Sequence, residues 1–241
     1  MKIALQLYSL REDAAKDYRK TLLSAAHDAG YRACEFAGYG GLSSAELKSL
    51  LSAAGLTPAG THLSIDALRK DLAGEIAFAK ELGIETAVCP YVSADSAEGW
   101  AALGRELEGY AAEFGSVGIP FGYHNHAHEF ELFDGKYGLD ILFENAPSVF
   151  PELDLHWVAK GGVDPVSYVR KYCDRIVALH AKDITADGEE IEVGCGLIDF
   201  AACAAAAPLC RYMIVEHEVY AYPPVESVRI GRENLERLLG L

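Results

Sequence analysis

The chain has 241 residues, 51% of them apolar, with 36 Asp and Glu against 21 Lys and Arg and a formal net charge of −15. That length gives one large core or two small ones, and the composition is that of a globular chain, not a disordered one. The acidic balance argues against a nucleic-acid partner, which needs a basic surface, and no apolar run approaches the ~20 residues of a membrane span. The apolar stretch at the N-terminus is too short for a signal-peptide core, so the chain reads as cytoplasmic and off the membrane. The six cysteines form no CxxC pair and read as reduced, mostly buried thiols. Cys195, in a Gly-Cys-Gly loop, is the one to check for exposure.

Taken in order, short apolar runs alternate with longer helical stretches. Lys2 to Tyr8 is the first run, followed by helical spacing from Tyr18 to Ala29 and a stop at Gly30. Tyr31 to Phe36 is the second, and a helix opens at Ser43–Ser44 and ends before Gly55. Leu56 to His62 is the third, weakened as a strand by Pro58 and Gly60; Asp66 reads as the N-cap of a helix to Leu82. Ile84 to Pro90 is the fourth, with a helix from about Ser96 to Phe114 that three glycines weaken. Ile119 to Asn125 is the fifth, with a helix near 139–145. The sixth lies near 149–155, and Asp164–Pro165 starts a helix to Tyr172. Ile176 to Ala181 is the seventh, followed by a Gly-rich loop and a helix at 199–206. Tyr212 to His217 is the eighth, and the last helix spans roughly 227–239.

Eight strand–helix units in a chain of this length predict a (β/α)8 barrel, a single domain over 1–241. Continuous apolar runs suit strands covered on both faces. A doubly wound open sheet is the alternative, but no GxGxxG or GxxxxGK[ST] follows any strand.

Chemistry in such a barrel sits at the C-terminal strand ends. In strand order these ends carry Gln6 and Tyr8, Glu35, His62, Cys89 and Tyr91, His124 and His126, Asp154 and His156, His180 and Lys182, and Glu216 and Glu218. The last four strands each end in an i, i+2 polar pair, which a strand presents on one face. If that face is inward, His124, Asp154, His180 and Glu216 form one layer. His126, His156, Lys182 and Glu218 form the next, nearer the mouth. Buried carboxylates and imidazoles are costly unless compensated, and one divalent cation would offset that cost. Two imidazoles with two carboxylates suit Mn²⁺, Zn²⁺, Co²⁺ or Fe²⁺. Each residue also has a plain structural role open to it: His124 or His180 as a core histidine, Lys182 as a rim charge, Glu35 as a cap, Tyr8 and Tyr91 as packing. Glu129 is the alternative ligand beside strand five, and His126, His128 and His156 suit positions around the ion or the substrate.

The motif Tyr123-His124-Asn125-His126-Ala127-His128-Glu129-Phe130, with QLYSLR at Gln6, THLSIDAL at Thr61, DLHW at Asp154, GGVDP ending at Pro165 and HAKD at His180, resembles the sugar phosphate isomerase/epimerase group of xylose isomerase-like barrels, in its YHNHxxEF branch. The likeness runs through nearly the whole chain and is a poor guide to substrate. It implies a metal held by Glu, Asp, His and Glu from strands five to eight, and Asp154, His180 and Glu216 fall on the last three. Strand five departs, with His124 where many members have Glu. That glutamate is both ligand and acid/base in the epimerases, so the resemblance does not carry their two-carboxylate mechanism over to this chain.

The expected activity is isomerisation or epimerisation of a sugar or keto-sugar through an enediolate. Glu216 moves the proton with help from Glu129, His126 or Lys182, and Glu35, His62, His156 and Tyr8 are positioned toward substrate. The alternative is a lyase or dehydratase, acting for instance on a 3-keto-glycoside, in which the same intermediate expels a β-substituent. An abasic-site endonuclease and a non-catalytic sugar-binding barrel are further readings, the first opposed by the charge. The expected partner is a small carbohydrate, with no Lys/Arg cluster at the mouth to hold a phosphate; dimers or tetramers are compatible with the reading.

Overall fold

The computed structural model describes residues Met1–Leu241, and eight parallel strands close in it into a barrel. They are β1 (Lys2–Gln6), β2 (Ala33–Phe36), β3 (Thr57–His62), β4 (Ala87–Cys89), β5 (Phe121–His124), β6 (Phe150–Asp154), β7 (Ala178–Ala181) and β8 (Tyr212–Val215), and β8 pairs with β1 to complete the circle. The barrel with helices between its strands is as the sequence predicts, while Arg11–Lys16 and Leu155–Lys160 form further helices that the sequence reading does not give. The helices are α1 (Arg11–Lys16), α2 (Tyr18–His27), α3 (Ser44–Ala54), α4 (Ile65–Leu82), α5 (Ala97–Ser116), α6 (Gly138–Glu144), α7 (Leu155–Lys160), α8 (Pro165–Lys171), α9 (Phe200–Ala206) and α10 (Pro224–Leu239). None is long and apolar enough to cross a membrane.

Local chemistry sets most of these boundaries. Ser43 and Glu46 make a reciprocal capping box at α3, and Gly55 and Gly83 close α3 and α4 in the left-handed region. Ser64, not Asp66, caps α4: its hydroxyl accepts from the Ala67 amide, and Asp66 sits in the first turn. Asp164 caps α8 with Pro165 at the first helical position. Four cysteines are buried, Cys173 is half-buried and Cys195 is exposed.

The lumen is built in layers by the strand pleat. At the bottom lies a cluster of small side chains from Ala4, Ala33, Ala59 and Ala178, filled out by Val88, Phe150, Tyr212 and Ile214. Gly122 on β5 makes room for Phe150, because a Cβ there would stand 2.6 Å from that ring. The larger apolar cluster, 54 buried residues, lies outside the strands against the helices. One step above the bottom layer the lumen turns polar.

Candidate metal centre and cleft

Period 2 carries each strand from its apolar base to its polar end. On β6, Phe150, Glu152 and Asp154 share the inward face; on β7 it is Ala178 and His180, and on β5 Gly122 and His124. Register then sets the neighbours: His124 pairs with Glu152, and Asp154 with His180. His180 also pairs with Ile214, so Glu216 lies one pleat nearer the mouth and still reaches His180. β3 needs an extra device. Its pairing with β2 shifts between Cys34 and Glu35, a bulge that opposes Gly60 to Glu35 and turns His62 inward. A Cβ at Gly60 would run into Glu35 Oε1 and stand 2.9 Å from Thr86 Oγ1. The glycine that weakens β3 as a strand is what lets the Glu35 carboxylate into the lumen.

Ligand atoms of His124, Asp154, His180 and Glu216 all lie within 4.8 Å of one another, and all four residues are buried. His180 Nδ1 is 3.2 Å from Glu216 Oε2, and His124 Nε2 is 4.0 Å from Asp154 Oδ2. Asp154 Oδ2 is buried with no hydrogen-bond partner. Burial raises the Asp154 carboxyl to about 7. Burial pushes the Glu216 carboxyl up as well, but the His180 hydrogen bond and the Lys182 charge together hold it well below the usual range. Two carboxylates and two imidazoles converging in a buried space, one oxygen without a partner, are a donor set that fits a divalent cation.

Beneath this set lies a group that the sequence reading did not assemble. Glu152 is fully buried two residues before Asp154 on the same face of β6. Its Oε2 is 2.9 Å from His62 Nε2, 3.3 Å from His180 Nε2 and 3.7 Å from His124 Nδ1. Glu35 Oε2 is 2.8 Å from His180 Nε2 and 3.1 Å from His62 Nε2, and it accepts from the Gln6 amide at 2.8 Å. The same i, i+2 rule, read backwards from Asp154, was the signal for Glu152.

Above the ligand set a cleft of about 430 Å³ opens between the strand ends, lined by Tyr8, His62, Tyr91, His126, Glu216 and Glu218 among others, and no Lys or Arg is among its walls. Tyr8 is exposed at the rim, its ring 4.6 Å from the Arg11 guanidinium. His126 is half-buried, Nδ1 has no partner, and burial lowers its pKa to about 4, which leaves a neutral ring at pH 7.

Three sequence expectations are not met by the geometry. Glu129 does not join the cluster: a short 3-10 turn over His128–Phe130 carries it away, and its carboxylate accepts from Tyr123 Oη (2.6 Å) and the His126 amide (2.9 Å). His156 does not stand above Asp154. Asp154 ends β6 and caps α7 through the Trp157 amide, so His156 is helical, and its Nδ1 sits 2.9 Å from the Asp183 carbonyl. Lys182 is fully buried behind the cleft, paired with Glu218 and 3.4 Å from Glu190, with its ammonium 4.8 Å over Trp157. Its charge acts on Glu216 and Glu218 and is not presented to the cleft.

Comparison with solved structures returns the same architecture. A sugar phosphate isomerase/epimerase from Parabacteroides distasonis superposes with a TM-score of 0.80 at 24% identity, over 98% of this chain and 98% of that one. An L-ribulose 3-epimerase gives 0.75 at 16% identity over 99% and 94% of the two chains. The IOLI protein with a bound zinc atom gives 0.77 at 13% identity over 100% and 98%. A search of curated proteins returned no match. The family model described as Xylose isomerase-like TIM barrel matches residues 23–238, nearly the whole chain, and the chain belongs to that family.

Proposed function

We propose that this protein is a metal-dependent isomerase or epimerase of an unphosphorylated sugar or keto-sugar. The observation that carries the reading is the buried His124–Asp154–His180–Glu216 set opening into a cleft with no cationic wall. The epimerase and the zinc-containing relative among the structural neighbours support it. A divalent ion held by those four residues would supply electrophilic stabilisation of the charge that develops on a substrate oxygen. The chain's own groups do the rest. Glu216, ionised and at the cleft floor, takes the proton from the carbon beside the carbonyl. His126, neutral and in the cleft wall, is the second group that exchanges a proton with substrate. His62 and Glu218 hold hydroxyls, and the exposed rings of Tyr8 and Tyr91 flank the sugar. With no Arg or Lys in the wall, a phosphate ester would lack a counter-charge, whereas a neutral polyol needs none.

A second reading, elimination from a keto-sugar, draws on one observation. Glu129 is committed to Tyr123 and the His126 amide, so no second carboxylate from β5 faces Glu216. A single carboxylate base beside the carbonyl suffices to expel a β-substituent.

Metal-loaded protein incubated with unphosphorylated keto-sugars in D2O tests both. Deuterium entering next to the carbonyl with an isomerised or epimerised product supports the first reading; loss of the substituent supports the second. Glu216→Gln should lower exchange by about 10²–10⁴-fold. Absence of exchange with any keto-sugar, or full exchange by Glu216→Gln, refutes the mechanism.

A further inference from the structure

We propose that the lumen contains a second, inner metal position, formed by His62 and Glu152 with the Glu35 carboxylate beside them, and sharing the imidazoles of His124 and His180 with the outer set, and that a divalent cation occupies one position at a time. The inference rests on the reading of the outer set as a metal position.

Its basis is the orientation of the two shared rings. His180 turns Nδ1 outward to Glu216 (3.2 Å) and Nε2 inward to Glu35 (2.8 Å) and Glu152 (3.3 Å). His124 turns Nε2 outward toward Asp154 (4.0 Å) and Nδ1 inward toward Glu152 (3.7 Å). The only carboxylates His62 meets are the inner pair, its Nε2 at 2.9 Å from Glu152 and 3.1 Å from Glu35. Ligand atoms of His62, His124, Glu152 and His180 all lie within 4.8 Å of one another. A tetrahedral ion at ~2.1 Å from its ligands sets neighbouring donor atoms about 3.4 Å apart. The inner separations from Glu152 Oε2, 2.9, 3.3 and 3.7 Å, straddle that value. Two inner carboxylates balance the charge of a divalent ion, as the two outer ones do.

The competing view is that Glu35 and Glu152 only orient the rings of the outer ligands by accepting their second N–H. That role accounts for one oxygen of each. It does not account for Glu152 Oε1 and His124 Nδ1, both buried with no partner. Orphaned polar atoms at this depth are costly, and a cation would satisfy them. It also leaves His62 unexplained, since that ring is not an outer ligand. His62 borders the cleft, which gives an ion a way in.

Exclusivity follows from imidazole chemistry. A neutral ring has one lone pair and one N–H. A ring that gives its lone pair outward points its N–H at the inner carboxylates, and the reverse holds when it gives the lone pair inward. The inner position offers three imidazoles and suits Zn²⁺ or Co²⁺; the outer offers two and suits Mn²⁺ as well.

The test uses metal-stripped full-length protein reloaded with Zn²⁺ or Mn²⁺, desalted and assayed for bound metal, with Co²⁺ absorption as a second readout. Wild type is compared with Asp154→Asn/Glu216→Gln, which removes the outer set, and with His62→Gln/Glu152→Gln, which removes the inner. Circular dichroism checks folding, and Glu152→Gln alone replaces the inner double variant if that one does not fold. One zinc per wild-type chain, retained by the outer-deleted protein, together with at least tenfold weaker zinc binding in the inner-deleted protein, is the expected result. Complete loss of zinc from the outer-deleted protein, with wild-type binding in the inner-deleted one, overturns the inner position. Two ions per wild-type chain overturn exclusivity. Retention by the outer-deleted protein with loss of both metals from the inner-deleted one keeps the inner position and refutes the outer reading alone.

Discussion

Asp183 follows Lys182 directly after β7, and its buried carboxylate organises the loop from Ile184 to Ile198. Oδ1 accepts from the amides of Ile184 (2.9 Å) and Ile198 (3.1 Å), and Oδ2 from those of Gly194 (2.9 Å) and Gly196 (2.9 Å). The fit allows no slack, since a Cβ at Gly196 would run into Asp183 Oδ1. In Asp183→Asn one of the two oxygens becomes an NH2 group facing two N–H donors. Two charge-assisted bonds are lost, each worth roughly 1.5–3 kcal/mol, and water can restore part of the loss, so the net cost should be about 3 kcal/mol. For a chain of this size that is a fall of about 6–12 °C in Tm. The same loop carries Glu190, whose carboxylate holds the Glu218 amide at 2.7 Å and sits 3.4 Å from Lys182, so turnover should fall with stability. Urea unfolding of wild type and variant, monitored by circular dichroism, measures the difference. A change below about 1 kcal/mol would show that the two displaced amides find equivalent partners without the second carboxylate oxygen, and the reasoning would be wrong.

Gly60→Ala should drive Glu35 out of the lumen, costing about 1–3 kcal/mol of stability and weakening metal binding; thermal melts and metal titration check it. Glu129→Gln should keep its metal and lose less than about tenfold in turnover, against about 10²–10⁴-fold for Glu216→Gln, and steady-state kinetics of the pair decides whether Glu129 acts only by holding Tyr123 and the loop. Chelation should abolish deuterium exchange while leaving the far-ultraviolet circular dichroism unchanged, with activity restored by Mn²⁺, Zn²⁺ or Co²⁺. Trp157 lies under the Lys182 ammonium, and Trp157→Leu should cost about 1 kcal/mol or more through lost packing and cation–π contact; chemical denaturation measures it.

The barrel is legible in the sequence because each of its eight strands is an apolar run followed by a helix with a recognisable start or stop. The convergence of four of these side chains is legible for a related reason: a strand's period keeps polar ends in phase, and Asp154, His180, Glu216 and His124 are those ends. What the period cannot show is where a strand stops. Asp154 is both the last residue of β6 and the N-cap of α7, so the i, i+2 argument fails at His156. The spacing from Asp154 to Trp157 is that of an N-cap and the amide it accepts from, a signal present in the sequence. Glu129 misleads by closeness in sequence, since the 3-10 turn after β5 reverses its direction. Whether Lys182 faces the cleft depends on Glu190 and Glu218, from two other segments, and no local pattern encodes that. The bulge that aims His62 is announced only by Gly60, whose usual meaning in a strand is weakness.

The division between the small-residue base of the lumen and the 54-residue shell outside the strands has a wider consequence. Eight residues of the lumen form an apolar base, and the space above it is given to charge. Cohesion therefore comes from the contact between strands and helices, and reactivity from the space the strands enclose. The two are separable in principle, since the side chains that fill the upper lumen are not those that pack strand against helix. A barrel of this kind works as a vessel whose contents are specified independently of its walls.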